Sequence, residues 1–381
     1  MEKSKKGIII FSTAYLPFIG GAELAVQEIT SRIHEYQFFL ITARMDRKIP
    51  KAEHVGSVLV YRVGVGIPFF DKALSPILAL FKARRIMKKY SIHALWGIMA
   101  SYASVAPILL KLFHLNKNIP FLLTLQEGDS EDHIAHARFG LISYTWRRAL
   151  RSADHVQVIS TYLGSRAKAY GYQGAMSVIP NGVDGNLFKE KKTKKEKKKI
   201  IITTSRLVEK NGVDILIRAF VLVKKEIKDA RLYIVGDGAC KKDLEKLASN
   251  LGVKDHVDFV GEIPFNQVPA YLSRAHVFVR MSRSEGLGTA FLEAMTVGLP
   301  VIASRVGGIP DFLTHEKTGL YAKNNDAEDV AKHIIRLLTD EKLYDNLSRN
   351  GKALVREKYS WDDIASRMNK IFNRIGAKTS Q

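Results

Sequence analysis

The sequence predicts an α/β protein built from two parallel-sheet domains, and three observations carry that reading. Short runs rich in β-branched residues alternate with longer stretches of helical periodicity, the alternation occurs twice, and a strongly charged run separates the two halves. A length of 381 residues fits two domains of ordinary size. With 46% hydrophobic and 25% charged residues each half can bury a core, which excludes disorder as a description of the whole chain.

In the first half the strand candidates are residues 7–11, 37–42, 57–63, 93–96, 121–125 and 155–160. In the second half they are residues 200–204, 232–235, 257–260, 276–279 and 300–303. Helical patterns lie between them, as in Val213, Leu216, Ile217 and Phe220 at i, i+3, i+4 and i+7. Strand followed by helix, repeated in this way, makes each half Rossmann-like.

Residues 189–199 hold eight lysines, two glutamates and a threonine, with no apolar side chain, and read as an exposed linker or loop. The boundary is expected near residues 184–199. This gives an N-terminal domain over 1–184, a basic linker over 185–199, a C-terminal domain over 200–360 and a closing segment over 361–381. Ser360-Trp361-Asp362-Asp363 resembles a capping box and would open a last helix reaching about Arg374.

The net charge is +21; residues 1–188 carry 23 basic against 13 acidic side chains. Such a balance points to an anionic partner: phosphate groups, nucleic acid or an acidic membrane surface. The single cysteine, Cys240, excludes an internal disulfide and a cysteine-based zinc site. The apolar run near the N-terminus is too short for a signal peptide. The weakly polar stretch 97–110 falls below the roughly 18 residues of a membrane span, so it reads as a buried helix. A cytoplasmic protein is expected, either free or peripheral on the inner face of the plasma membrane.

The strongest chemical signal is RSEGLGTAFLEAMTVGLPVIAS, residues 283–304. Gly286 and Gly288 let the backbone approach a ligand, and a helix starting near Gly288 would turn its free N–H groups toward an anion. Glu285 lies in the loop and Glu293 more than a turn into the helix. Carboxylates beside an anion site are suited to hydroxyls, because each accepts several hydrogen bonds. One phosphate-binding turn flanked by two hydroxyl-binding carboxylates describes a nucleotide sugar. The plain alternative is a helix start whose acidic residues favour the dipole.

A second constellation is TTSRLVEKNGVDILIRAF, residues 203–220, with Arg206 and Lys210 between a strand end and a helix. Ligands of open α/β sheets bind at that rim, and two cations there suit a diphosphate, Arg as a fork and Lys as a point charge. The alternative is a solvated turn. FSTAYLPFIGGAE, residues 11–23, places Gly20 and Gly21 at a helix start in the position of a phosphate loop, but without a dinucleotide fingerprint or Gly-Lys-Ser/Thr. Gly64-Val65-Gly66 and Gly236-Asp237-Gly238 also lack a third glycine, which disfavours a nicotinamide enzyme. No Asp-x-Asp occurs, and His133 and His136 after Glu131 and Asp132 read as surface residues, so no metal site is expected.

Taken in order, these motifs resemble the group 1 (family four) retaining glycosyltransferases with the GT-B fold, over nearly the whole chain from Gly7 to Arg374. Most specific is EGLGTAFLEAM, joined by SRLVEKNGVDILIRAF, LYIVGDGACKKDLEKLA, VDFVGEIP, VGGIPDFL and VIPNGVD. The resemblance implies two Rossmann-like domains facing across a cleft, with the donor held mainly by the second. It implies that Glu285 holds sugar hydroxyls and Glu293 the ribose hydroxyls. Arg206 and Lys210 would bind the diphosphate, beside Gly286, Leu287 and the backbone N–H groups of Gly288 and Thr289. Ile263 would lie against the base, Gly20 and Gly21 would complete the phosphate site, and the last helix would cross back to the first domain.

Two departures stand out. The family places its lysine directly before the glycine, where this chain has Asn211, preceded by Lys210. It also often has a histidine just after the strand at 121–125, where this chain has Gln126, followed by Glu127-Gly128-Asp129. An amide holds a hydroxyl but does not titrate. The implied mechanism therefore leans on positive groups that stabilise the leaving diphosphate, with a donor phosphate oxygen taking the acceptor's proton and configuration retained.

The expected co-substrate is a UDP-, GDP- or ADP-sugar, the acceptor a glycan or lipid-linked hydroxyl, and no further cofactor or metal is expected. Residues 67–90 combine Phe69, Phe70, Leu74, Ile77, Leu78 and Phe81 with Lys72, Lys82, Arg84, Arg85, Lys88 and Lys89. Such a helix either lies in an anionic membrane surface or faces the core with a solvated basic back. The rival functions are a nucleotide-sugar epimerase of the same fold and a polyanion- or RNA-binding protein. Nucleic acid is not an expected partner, since no aromatic RNA-binding module is visible.

Overall fold

The computed structural model describes residues 5–18, 20–100, 102–115, 118–129, 141–189 and 198–377. His133, His136 and most of the basic run 189–199 lie outside the described residues. The chain divides into two compact units, residues 1–181 with 361–381, and residues 182–360.

The first unit holds β1 (Lys6–Phe11), α1 (Gly21–Arg32), β2 (Tyr36–Ala43), β3 (Ala52–Val55), β4 (Val58–Val63), α2 (Pro68–Lys89), β5 (Ile92–Ile98), α3 (Tyr102–Leu112), β6 (Phe121–Leu125), α4 (Leu141–Ser152), β7 (His155–Val158), α5 (Thr161–Ala169) and β8 (Ala175–Val178). Its sheet runs β3-β4-β2-β1-β5-β6-β7-β8, parallel except for the β3–β4 pair. Ile8, Ile9 and Ile10 of β1 are all fully buried, because helices cover both faces of a central parallel strand.

The second unit holds β9 (Ile200–Thr204), α6 (Val213–Glu226), β10 (Arg231–Val235), α7 (Lys241–Asn250), β11 (Val257–Gly261), α8 (Val268–Arg274), β12 (Val277–Arg280), α9 (Thr289–Thr296), β13 (Val301–Ser304), β14 (Leu320–Ala322), α10 (Ala327–Thr339) and α11 (Glu341–Lys358). Its sheet is wholly parallel, in the order β11-β10-β9-β12-β13-β14. The chain then returns to the first unit as α12 (Trp361–Ala377). Trp361, Ile364, Met368, Ile371, Phe372 and Ile375 recur at helical spacing and are buried against Ile8, Ile10, Trp96 and Phe38.

Three strands escape the periodicity reading. β3 and β8 are edge strands with no buried position, and β14 has only three residues, so none makes the continuous buried run that marks β7 and β12. The linker also needs correction. Phe188 is fully buried, with its ring 5.7 Å from that of Phe265, and the Val183 N–H donates to the Tyr359 carbonyl at 2.9 Å. The second unit therefore begins at residue 182, before the expected 200, and residues 185–188 belong to its packing.

In the middle of each sheet the strand order reverses, between β1 and β5 in the first unit and between β9 and β12 in the second. Crevices outside the carboxyl ends of such strand pairs are where open α/β sheets bind ligands.

Candidate functional site

The two loops at the second reversal are 205–212, after β9, and 281–288, after β12. Both charged constellations of the sequence fall on them. The Ser205 N–H donates to the Val235 carbonyl at 3.0 Å and the Leu207 N–H to the Asp237 carbonyl at 2.8 Å, which fixes the backbone around the exposed Arg206. Lys210 is half-buried, and its carbonyl accepts from the Arg283 N–H at 2.7 Å. Arg283 makes a two-pronged pair with Asp214 of α6, Nη1 to Oδ1 at 3.0 Å and Nη2 to Oδ2 at 2.8 Å. Gly212 adopts φ +62°, and a Cβ there would stand 1.8 Å from the Met281 carbonyl oxygen. The residue must be glycine for the two loops to touch.

Arg280, the last residue of β12, sits at the centre of this seam. Its Nη2 donates to Oδ1 of Asn211 at 2.8 Å. The same nitrogen lies 2.7 Å from Oε2 of Glu285, in an ion pair whose side chains are 12% and 14% exposed. That oxygen of Glu285 has no aligned hydrogen bond, and Nε of Arg280 is likewise buried without an acceptor. Asn211 is consumed on both sides: its Nδ2 donates to the Arg206 carbonyl at 2.6 Å.

Glu285 is placed by its backbone, whose carbonyl accepts from the Gly308 N–H at 3.1 Å. Gly307, at φ +55°, passes so close that a Cβ there would meet that same carbonyl oxygen at 1.8 Å. The Gly286 N–H donates to Oε1 of Glu285 at 3.1 Å. Leu287 is buried, Gly288 precedes α9, and the N–H groups of Gly288, Thr289 and Ala290 have no acceptor among the described residues. Free donors at a helix start are the kind of group that can hold an anion. Glu293 is buried in α9, and burial pushes its carboxyl up to about 7 while the Arg280 charge pulls it back. Ile263 is half-buried in the loop after β11.

Gly20, Gly21 and Gln126 belong to the other unit. Gly20 precedes α1 in an extended conformation, with Glu23 in the helix's first turn. Oε1 of Gln126 accepts from Nδ2 of the buried Asn181 at 2.9 Å, and that nitrogen lies 4.0 Å from where a Cβ of residue 21 would stand. Glu127 is buried beneath them. Its carboxylate takes the Gln126 N–H at 2.9 Å and the Ala100 N–H, so it ties the loop after β6 to the loop after β5. Burial raises the Glu127 carboxyl to about 7, against backbone hydrogen bonds that lower it.

Sequence reasoning missed Arg280, Asn181 and the tie made by Glu127. The only signal for Arg280 was an arginine closing an otherwise apolar strand immediately before the glycine loop. Gly64-Val65-Gly66 proves to be a turn clasped by Asp71 of α2, whose carboxylate accepts from the N–H groups of Val65, Gly66 and Ile67 at 2.9, 2.6 and 3.1 Å. No group of three or more His, Cys, Asp or Glu that could hold a metal occurs among the described residues.

The burial of α2 contradicts the core-facing alternative. Asp71, Ser75, Pro76, Ala79, Ala83 and Ile86 face inward, and the large apolar side chains face out. Phe69, Phe70, Leu74, Ile77 and Phe81 are 49–80% exposed, with Leu78 half-buried. Lys72, Arg84, Arg85, Lys88 and Lys89 are exposed on the same helix. Lys82 leaves that set: its Nζ lies 3.5 Å from the ring centre of Tyr61, and burial with the nearby Arg85 and Lys89 lowers its pKa. No helix among the described residues is long and apolar enough to cross a membrane.

Two family models match the chain, "Glycosyl transferases group 1" over residues 184–354 and "Glycosyltransferase Family 4" over residues 19–186. The GDP-mannose-dependent alpha-(1-6)-phosphatidylinositol monomannoside mannosyltransferase of Mycobacterium tuberculosis (strain CDC 1551 / Oshkosh) is 30% identical over 305 residues, 75% of this chain and 77% of that protein. The sucrose-phosphate synthase of Thermosynechococcus elongatus superposes with a TM-score of 0.86 at 22% identity, over 98% of this chain and 100% of that one. An Anabaena protein crystallised with UDP and glucose superposes with a TM-score of 0.78 at 19% identity, over 97% and 100%. These likenesses identify the two α/β units as a GT-B fold.

Proposed function

We propose that this chain, which belongs to the group 1 glycosyltransferases, moves a sugar from a nucleoside-diphosphate donor to a hydroxyl of a membrane glycolipid, with retention and without a metal. Glycosyl transfer from a nucleotide sugar is its activity at the level of class. The observation that carries the donor site is the loop 281–288, where unbonded N–H groups, two carboxylates and a cluster of cations meet at a strand reversal.

In this reading the diphosphate lies on the N–H groups of Gly288 and Thr289, with Arg206 and Lys210 adding positive charge as the sugar–phosphate bond lengthens. Glu285 takes sugar hydroxyls, Glu293 takes the ribose and Ile263 lies against the base. A donor phosphate oxygen accepts the acceptor's proton as the acceptor oxygen bonds to the sugar carbon on the face the leaving group vacates. Side-chain cations in place of a metal lead us to expect full activity in a chelator.

The acceptor side rests on α2. Its outward phenylalanines bring about 1.5–3 kcal/mol each when fully buried in apolar surroundings, and each nearby Lys or Arg adds about 1 kcal/mol at an anionic surface. Co-sedimentation with vesicles of phosphatidylglycerol and phosphatidylcholine is expected for the wild type and lost in Phe70→Asp/Ile77→Asp. Wild-type protein that stays in the supernatant at low salt would remove the membrane from the proposal.

The activity is tested by calorimetry with UDP, GDP and ADP, followed by GDP-mannose with a phosphatidylinositol glycolipid, since the mycobacterial relative is named for that pair. A new glycoside with the donor's anomeric configuration is the expected product. An isomer of the donor with no glycoside would make the chain an epimerase, and RNA binding without nucleotide binding would make its charge the function.

A further inference from the structure

The donor site has an electrostatic difficulty. Glu285 lies in the loop, and Glu293 in the helix, whose N–H groups are meant for a diphosphate, and Asn211, at the position before the glycine, contributes no charge. Two largely buried carboxylates near an anion site repel the anion unless a largely buried cation balances them. Arg206 is exposed at the rim and does not meet that need.

We infer that Arg280 supplies the largely buried positive charge of this site, in place of a lysine at position 211, and that Asn211 is the residue that aims it. The inference rests on the donor-site reading above. Three geometric facts carry it. Arg280 closes β12 at the strand reversal, so its side chain enters the ligand rim from a rigid element. Nη2 is 2.8 Å from Oδ1 of Asn211, so the guanidinium occupies the space into which a longer side chain at 211 would extend. The same nitrogen pairs with Glu285, and Nε remains a buried donor without an acceptor. Asn211 is itself anchored by its bond to the Arg206 carbonyl, so the amide has one orientation to offer. Arg280 is thus a positioning residue: it holds Glu285 toward the sugar and offsets carboxylate repulsion of the diphosphate.

The test is calorimetric, on the full chain, with each nucleoside monophosphate and its diphosphate compared in wild type, Arg280→Met and Asn211→Lys/Arg280→Met. Losing a buried charge that balances an anion is expected to weaken diphosphate binding at least about tenfold while monophosphate binding moves less than about threefold. The double variant puts a cation back from the other loop and is expected to bind the diphosphate within about threefold of wild type. A purely structural arginine predicts equal losses for both nucleotides and no rescue, which would overturn the inference. If Arg280→Met does not fold, the double variant is read against wild type, and a loss there beyond about tenfold overturns it too. Wild-type protein that binds none of the diphosphates would sink the donor-site reading itself, and the two failures are told apart by that first titration.

Discussion

The two strand reversals share one architecture and differ in chemistry. At the β9/β12 reversal the loops are stitched by charge: Arg283 to Asp214, Arg280 to Asn211 and Glu285. At the β1/β5 reversal Arg62 donates to the Leu16 carbonyl at 2.7 Å, and the adjoining loop after β6 is held by neutral amides and backbone N–H groups around Gln126, Asn181 and one buried carboxyl, Glu127. A site with fixed cations suits a leaving diphosphate, whose charge grows as the reaction proceeds. A site of amides suits a hydroxyl, which stays neutral until its proton leaves.

The largest break in this comparison comes from backbone geometry. Gly212→Ala forces an L-residue into a left-handed conformation and drives a Cβ to 1.8 Å from the Met281 carbonyl oxygen. Displacing one loop from the other should cost about 3 kcal/mol or more. The counterpart Gly21→Ala meets only Asn181 at 4.0 Å, inside a helix where alanine is favoured, and should change stability by less than about 1 kcal/mol. Thermal unfolding of both variants, with hydrogen exchange over residues 205–212, checks this. Equal losses in the two would mean that the second reversal is no more tightly stitched than the first.

Much of this is legible in the sequence alone. EGLGTAFLEAM and SRLVEKNG are local signals, because a glycine turn and a helix start depend on neighbours in the chain, and the structure brings Arg206, Lys210, Glu285 and Glu293 to one reversal. Arg280 was not readable for the opposite reason. Its meaning lies in Asn211, 69 residues away in sequence, and only pairing of β12 with β9 makes them neighbours. The orientation of α2 was undecidable from periodicity alone. A stripe of Leu74, Ile77, Leu78 and Phe81 looks like a core face, but Ser75, Ala79 and Ala83 let the backbone lie closer to the sheet, and the small side won. Phe188 was misplaced because a lone aromatic beside a lysine run resembles linker until its partner Phe265 is known.

The smallest effect is also the one that best separates the two halves. Glu127 and Glu293 are both held near 7 by burial, one in each unit. A carboxyl whose folded pKa is raised contributes stability that is present below its unfolded value near 4.5 and is lost as pH rises through about 7. Both residues should therefore make the free protein less stable at pH 8 than at pH 5. Ligand binding distinguishes them. Ribose hydroxyls donate to a carboxylate, so donor affinity should rise as Glu293 ionises, by up to about tenfold between pH 6 and pH 8 before levelling off. Glu293→Gln should flatten that rise, whereas Glu127→Gln should leave it intact and remove only its own share of the stability trend. Calorimetry of nucleoside diphosphate at pH 6, 7 and 8 for the three proteins decides the matter. A binding curve flattened by Glu127→Gln would move the titrating group out of the second unit and take the ribose role from Glu293.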